Sequence, residues 1–129
     1  MTATTFPGLV PGLRGERRTV VTPAMATTHA GGAGMLRAAD MFLEMELAAQ
    51  EAVQPLLPDD HTTVGYEIFI RHRRPTPVGE WFTATAELVE VDGRKLRFRV
   101  EARNTRDLIG EGTIRRTVVR LGQLDATAG

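Results

Sequence analysis

Three ionisable side chains stand where the apolar pattern of this chain calls for none. They are Glu46 in "MFLEMELAAQ" (41–50), His72 at the end of "VGYEIFIRH" (64–72) and Arg116 in "GTIRRTVVRL" (112–121). On a helix advancing about 100° per residue, Arg37, Asp40, Glu44 and Glu51 fall in one sector, the expected solvent stripe. Met35, Ala39, Phe42, Ala49 and Val53 lie nearly opposite. Glu46 falls with that second group, roughly 140° from the stripe by the same arithmetic. His72 continues the face of Tyr66, Ile68 and Ile70, and Arg116 sits between Ile114 and Val118 on an inward face. A carboxylate removed from water titrates higher, so it can move protons, activate water or attack a carbonyl. An imidazole can orient it or shuttle its proton. Taken singly, each residue has an ordinary reading: an acid paired at a dimer interface, a satisfied structural histidine, an ion-pair partner. Three such groups pointing inward from three elements have no packing reason.

The elements that must position them follow from periodicity. Residues 1–16 are rich in Gly and Pro and read as an irregular N-terminal segment. "RRTVVTP" (17–23) reads as a short strand and "HAGGAG" (29–34) as a flexible loop. From Met35 to about Gln54 the pattern is helical, and Pro55 and Pro58 end it. Four long strands are expected after the helix. Phe82, Ala84, Ala86 and Leu88 share one face, and Leu96, Phe98, Val100 and Ala102 share another. "DG" at 92–93 marks a tight hairpin. Gly110 and Gly112 suggest a bulge or a close approach of backbones. The domain is expected to run over 17–122, with a loose tail at 123–129. The sum is an α+β chain: a curved antiparallel sheet wrapped around one long central helix, the hotdog fold. Such a sheet leaves edges and a helix flank open, so a homodimer, or a dimer of dimers, is expected.

Composition narrows the function. At 129 residues the chain suits one domain with its own core. With no cysteine it has neither disulfides nor thiolate chemistry. His29, His61 and His72 lack the spacing of a metal site, and no cofactor motif is present: "GGAG" does not match a phosphate loop. Acidic and basic residues balance at 16 each, which speaks against nucleic acid as a partner. No apolar run is long enough to span a membrane, and the N-terminus lacks a signal-peptide pattern, so a cytoplasmic location is expected. "RHRR" (71–74) reads as a solvated strand end.

From about Arg18 to Leu121 the chain resembles the fluoroacetyl-CoA thioesterase-like group of hotdog proteins. "MELAAQ", "VGYEIFIRH", "PVGEWFTATAELVEVDGRKLRFRVEA" and "LIGEGTIRR" carry the likeness. The resemblance implies a catalytic glutamate at Glu46 and a histidine at His72, supported by a glycine at Gly65 and an arginine at Arg116. The group's catalytic threonine falls on Ala38, which has no hydroxyl. Thr27 or Thr28 could approach from the preceding loop. The implied function is hydrolysis of an acyl-CoA or similar thioester. With Ala38 in place of threonine, activation of water by Glu46 is more natural than an acyl-threonine. A non-catalytic protein that binds acyl-CoA or a small apolar ligand is the alternative. The motifs of hotdog dehydratases and hydratases are missing.

Overall fold

Alternation in the second half of the chain becomes four long strands. The computed structural model describes residues 6–124. In chain order the elements are β1 (Arg14–Val20), β2 (Ala26–Thr27), β3 (Met35–Leu36), α1 (Ala38–Val53), β4 (His61–His72), β5 (Trp81–Asp92), β6 (Lys95–Arg103) and β7 (Leu108–Arg120). The main sheet is antiparallel in the order β1-β5-β6-β7-β4, with β2 and β3 forming a separate two-stranded piece. The helix α1 touches all five strands of the main sheet, the hotdog arrangement. Among the described residues, no helix is long and apolar enough to cross a membrane.

The alternating faces of β5, β6 and β7 fall as expected. Phe82, Ala84, Ala86, Leu88, Leu96, Phe98, Val100, Ala102, Ile114 and Val118 are all buried against α1. Asp92 pairs with Lys95 across a two-residue turn, where Gly93 takes a φ of +61° that side chains disfavour. A Cβ on Gly112 would lie 2.0 Å from the Phe69 carbonyl oxygen, so this glycine does mark a close approach of backbones.

Two expectations about the helix need correction. It begins at Ala38, not Met35. Met35 and Leu36 pair with Thr27 and Ala26, and Arg37 is extended and donates its N–H to the Met25 carbonyl. Backbone groups satisfied by a strand cannot also start a helix. The C-terminal end is as expected, with a 3-10 turn over Gln54–Leu56 that contains Pro55. The second correction is the solvent stripe. Glu44 is buried, at 8% exposure, while Ala39 is exposed. The strand β1 covers that flank so closely that a Cβ on Gly15 would lie 1.9 Å from the Ala48 carbonyl oxygen.

A third correction concerns β4. Its register with β7 slips between Gly65 and Glu67, leaving Tyr66 as an extra residue. One extra residue exchanges the two faces of a strand. Upstream of the slip it is Gly65 that faces the helix; downstream, Ile68 lies opposite the buried Ile114, and Ile70 and His72 follow on that side. Tyr66 therefore does not share their face and is exposed. The strand β4 is a sheet edge, and Tyr66, Ile68 and Phe69 are all exposed along it.

At the N-terminal end β1 starts at Arg14, and Phe6 and Leu9 from the preceding turns enter the core. The expected loose tail falls mostly outside the described residues, which end with Gln123 and Leu124 in a helical turn.

Candidate active site

Glu46 lies on the flank of α1 that faces the junction of β4 and β7. Gly65 of β4 pairs with Arg116 of β7, which brings both beneath the glutamate. Arg116 Nη1 donates to Glu46 Oε2 at 3.2 Å. A Cβ on Gly65 would stand 2.6 Å from Glu46 Oε2 and 3.4 Å from Arg116 Nη1. Only a glycine lets the carboxylate lie across the strand without moving. The carboxylate keeps 28% of its side chain accessible, while the arginine keeps 6%.

The remaining donors of Arg116 are taken by neutral oxygens. Nε donates to Thr63 Oγ1 at 2.8 Å, and Nη2 donates to the Thr63 carbonyl at 2.9 Å and to Gln50 Oε1 at 3.1 Å. Burial pulls the guanidinium below its ordinary pKa, and the charge of Glu46 opposes that pull. The result is a buried cation presenting one donor to one half-exposed carboxylate. That fixes Oε2 while the glutamate side chain stays 28% accessible.

His72 does not join this group within one chain. It lies six register steps beyond Gly65 along the β4–β7 ladder, roughly 20 Å at about 3.3 Å per residue. There it pairs with Gly110, near Met41 in the first half of α1. Its Nε2 is buried with no hydrogen-bond partner among the described residues. Burial also lowers its pKa, with a backbone group of Arg74 opposing. A buried, unpaired imidazole nitrogen is uncommon in a folded protein. Ala38 occupies the first position of α1, half-buried, and offers no hydroxyl. Thr27 Oγ1 is engaged with His29 Nδ1 at 2.7 Å in the β2–β3 piece.

The structure thus assembles Glu46, Gly65 and Arg116 and sets His72 and Ala38 apart from them. It adds Thr63 and Gln50, which the sequence reading passed over. Both carried a signal: Gln50 is four residues from Glu46 and so on the same helix face, and Thr63 is two before Gly65 on the same strand face. Among the described residues, no cluster of three or more His, Asp or Glu could hold a metal ion.

Comparison with known proteins bears on what such a site does. Residues 19–121 match the family model "FlK: Fluoroacetyl-CoA-specific thioesterase". The fluoroacetyl-CoA thioesterase of Streptantibioticus cattleyicolor is 40% identical over 82 residues, a stretch covering 64% of this chain and 59% of that protein. The solved structure of the fluoroacetyl-CoA thioesterase FlK superimposes with a TM-score of 0.86 at 32% identity, over 94% of this chain and 96% of that one. FlK has also been solved as a threonine-to-alanine mutant with fluoro-acetate and as a threonine-to-serine mutant with acetyl-CoA. A hypothetical protein of Thermus thermophilus, a thioesterase superfamily member, gives a TM-score of 0.84 at 26% identity, over 92% of this chain and 90% of that one.

Proposed function

This chain belongs to the FlK family of fluoroacetyl-CoA-specific thioesterases, and from that premise we propose that it hydrolyses an acyl-CoA thioester with Glu46 as its catalytic carboxylate. The observation that carries the reading is the Glu46–Arg116 pair laid over Gly65: a buried guanidinium holds one carboxylate oxygen at 3.2 Å and the acid stays accessible. Glu46 takes a proton from water as the water oxygen attacks the thioester carbonyl. The tetrahedral intermediate then expels the CoA thiolate, which receives a proton, and the products are a carboxylic acid and free CoA. With Ala38 at the head of α1 there is no hydroxyl there to be acylated, and the water route needs none.

His72 enters this site from a second copy of the chain. The strand β4 is an exposed edge whose apolar row is centred on Phe69, 69% exposed. Two copies pairing antiparallel about a two-fold axis at Phe69 set Ile68 against Ile70 of the partner subunit. Glu67 then lies against the partner's Arg71, an opposite-charge pair formed twice by symmetry. Counting on past the extra Tyr66, Gly65 comes opposite the partner's His72. That register brings the half-buried His72 ring toward the partner subunit's Glu46 and covers the apolar edge in one step.

The missing hydroxyl at Ala38 favours a second reading, in which the same cleft binds an acyl-CoA and leaves it intact. Incubation of the purified protein with short, branched and aromatic acyl-CoAs, following release of free thiol, separates the two. Hydrolysis of at least one ester that falls by about 10² or more in Glu46→Gln supports the enzyme. Intact thioester bound after long incubation supports the binding protein instead.

A further inference from the structure

We propose that Thr63 and Gln50 are positioning residues: they lock the Arg116 guanidinium in one pose and thereby aim the Glu46 carboxylate. The proposal rests on the catalytic role of Glu46 given above. Thr63 grips Arg116 twice, through its hydroxyl at 2.8 Å and its carbonyl at 2.9 Å, and so fixes the plane of the guanidinium. Gln50 takes a further donor at 3.1 Å. What remains for Glu46 is Nη1.

Gln50 is itself held by a directed chain of hydrogen bonds. Its Nε2 donates to Thr62 Oγ1 at 3.4 Å, the Thr62 hydroxyl donates to Gln54 Oε1 at 2.8 Å, and Gln54 Nε2 donates to the His61 carbonyl at 2.9 Å. Both ends permit one direction only, since a guanidinium can only donate and a carbonyl can only accept. The Gln50 amide must therefore turn its oxygen toward Arg116, and each bond in the row polarises the next. The row joins α1, the turn after it, β4 and β7, so the aim of Glu46 is set by four stretches of chain. Among the described residues, Arg116 is the charged group bonded to Glu46. The arginine's pose is thus the main local control on that acid.

Thr63→Val keeps the shape of the side chain and removes its hydroxyl, while Thr63→Ser restores the hydroxyl. The test reads kcat and KM for the best ester beside urea unfolding. In Thr63→Val kcat drops about tenfold with KM within about twofold, the pattern of an interaction made in the transition state. Thr63→Ser restores kcat to the wild-type value. Gln50→Met, of similar length and without an amide, lowers kcat the same way by less and carries the test if Thr63→Val fails to fold. A kcat within about twofold of wild type in both, with Glu46→Gln still inactive, overturns the positioning role. Turnover that survives Glu46→Gln overturns the reading on which it rests.

Discussion

Glu44 and Glu46 lie two residues apart on one helix, and each bonds an arginine from a strand, yet the two pairs differ in kind. Arg17 of β1 donates through Nε to Glu44 at 2.9 Å and through Nη1 to Glu51. Its guanidinium is a third exposed, and two carboxylates, Glu44 first, raise its pKa. Arg116 is buried, serves one acid and three neutral oxygens, and is pulled down by that burial. The first pair is saturated with negative charge and clamps an edge strand to the helix. The second holds its acid by one oxygen over a glycine and leaves that side chain 28% accessible. A buried glutamate–arginine pair is therefore no mark of function on its own; what distinguishes Glu46 is the accessible carboxylate and the space kept free by Gly65.

Substitutions at matched positions separate clamp from site. The largest expected difference is between the two acids. Glu46→Gln lowers thioester hydrolysis by about 10² or more. Glu44→Gln leaves turnover per folded molecule within about threefold and costs about 1 kcal/mol of stability, since its arginine is part-exposed. Equal losses from both, measured by thiol release and urea unfolding, would erase the distinction. The glycines come next. In Gly65→Ala the new Cβ meets the end of a flexible side chain, so the carboxylate swings away and turnover falls roughly tenfold with little loss of stability. In Gly15→Ala it meets the backbone of Ala48, which cannot yield, so stability falls by about 3 kcal/mol while the folded fraction keeps its activity. Reversed outcomes would make Gly65 a packing residue.

The smallest effect concerns the unpaired imidazole, in a Phe69→Arg background where the strand edge cannot pair. Burial lowers the pKa of His72 in the folded chain, so its contribution to stability is complete above the unfolded value of about 6.5. That contribution fades as pH falls below 6.5 toward the folded value, because the unfolded chain takes up the proton first. Urea midpoints should therefore drop between pH 7 and pH 5 more in Phe69→Arg than in Phe69→Arg with His72→Asn. Parallel curves would place His72 in an ordinary solvated setting.

Much of this was legible in the sequence, for reasons that can be named. Strand alternation in β5, β6 and β7 is set by local side-chain direction, so Phe98 or Arg116 could be assigned a face without neighbours. Glu46 showed on the wheel for the same reason. Glu44 was misread because a wheel knows the helix and not the strand laid along its flank; Arg17 and Gly15 of β1 decide that side. The faces of β4 were misread around Tyr66 because a single-residue slip leaves no mark in an alternating pattern. Thr63 and Gln50 were legible by spacing but carry no charge to draw notice. His72 follows Ile68 and Ile70 on the side opposite β7's buried Ile114, as alternation suggested, but its separation from Glu46 within one chain is fixed by the β4–β7 register, which alternation does not reveal.

The proposed site joins one acid and one imidazole across two copies of the chain, and mixing inactive subunits tests that directly. Unfolded Glu46→Gln and His72→Ala chains, refolded together in equal amounts, form mixed dimers in which one site carries both lesions and the other carries neither. Random pairing makes half the dimers mixed, each with one intact site of two, so about a quarter of wild-type hydrolysis returns, as expected for symmetric dimers. Activity no higher than that of either variant refolded alone, with mixed dimers present by native mass spectrometry, would contradict the shared site.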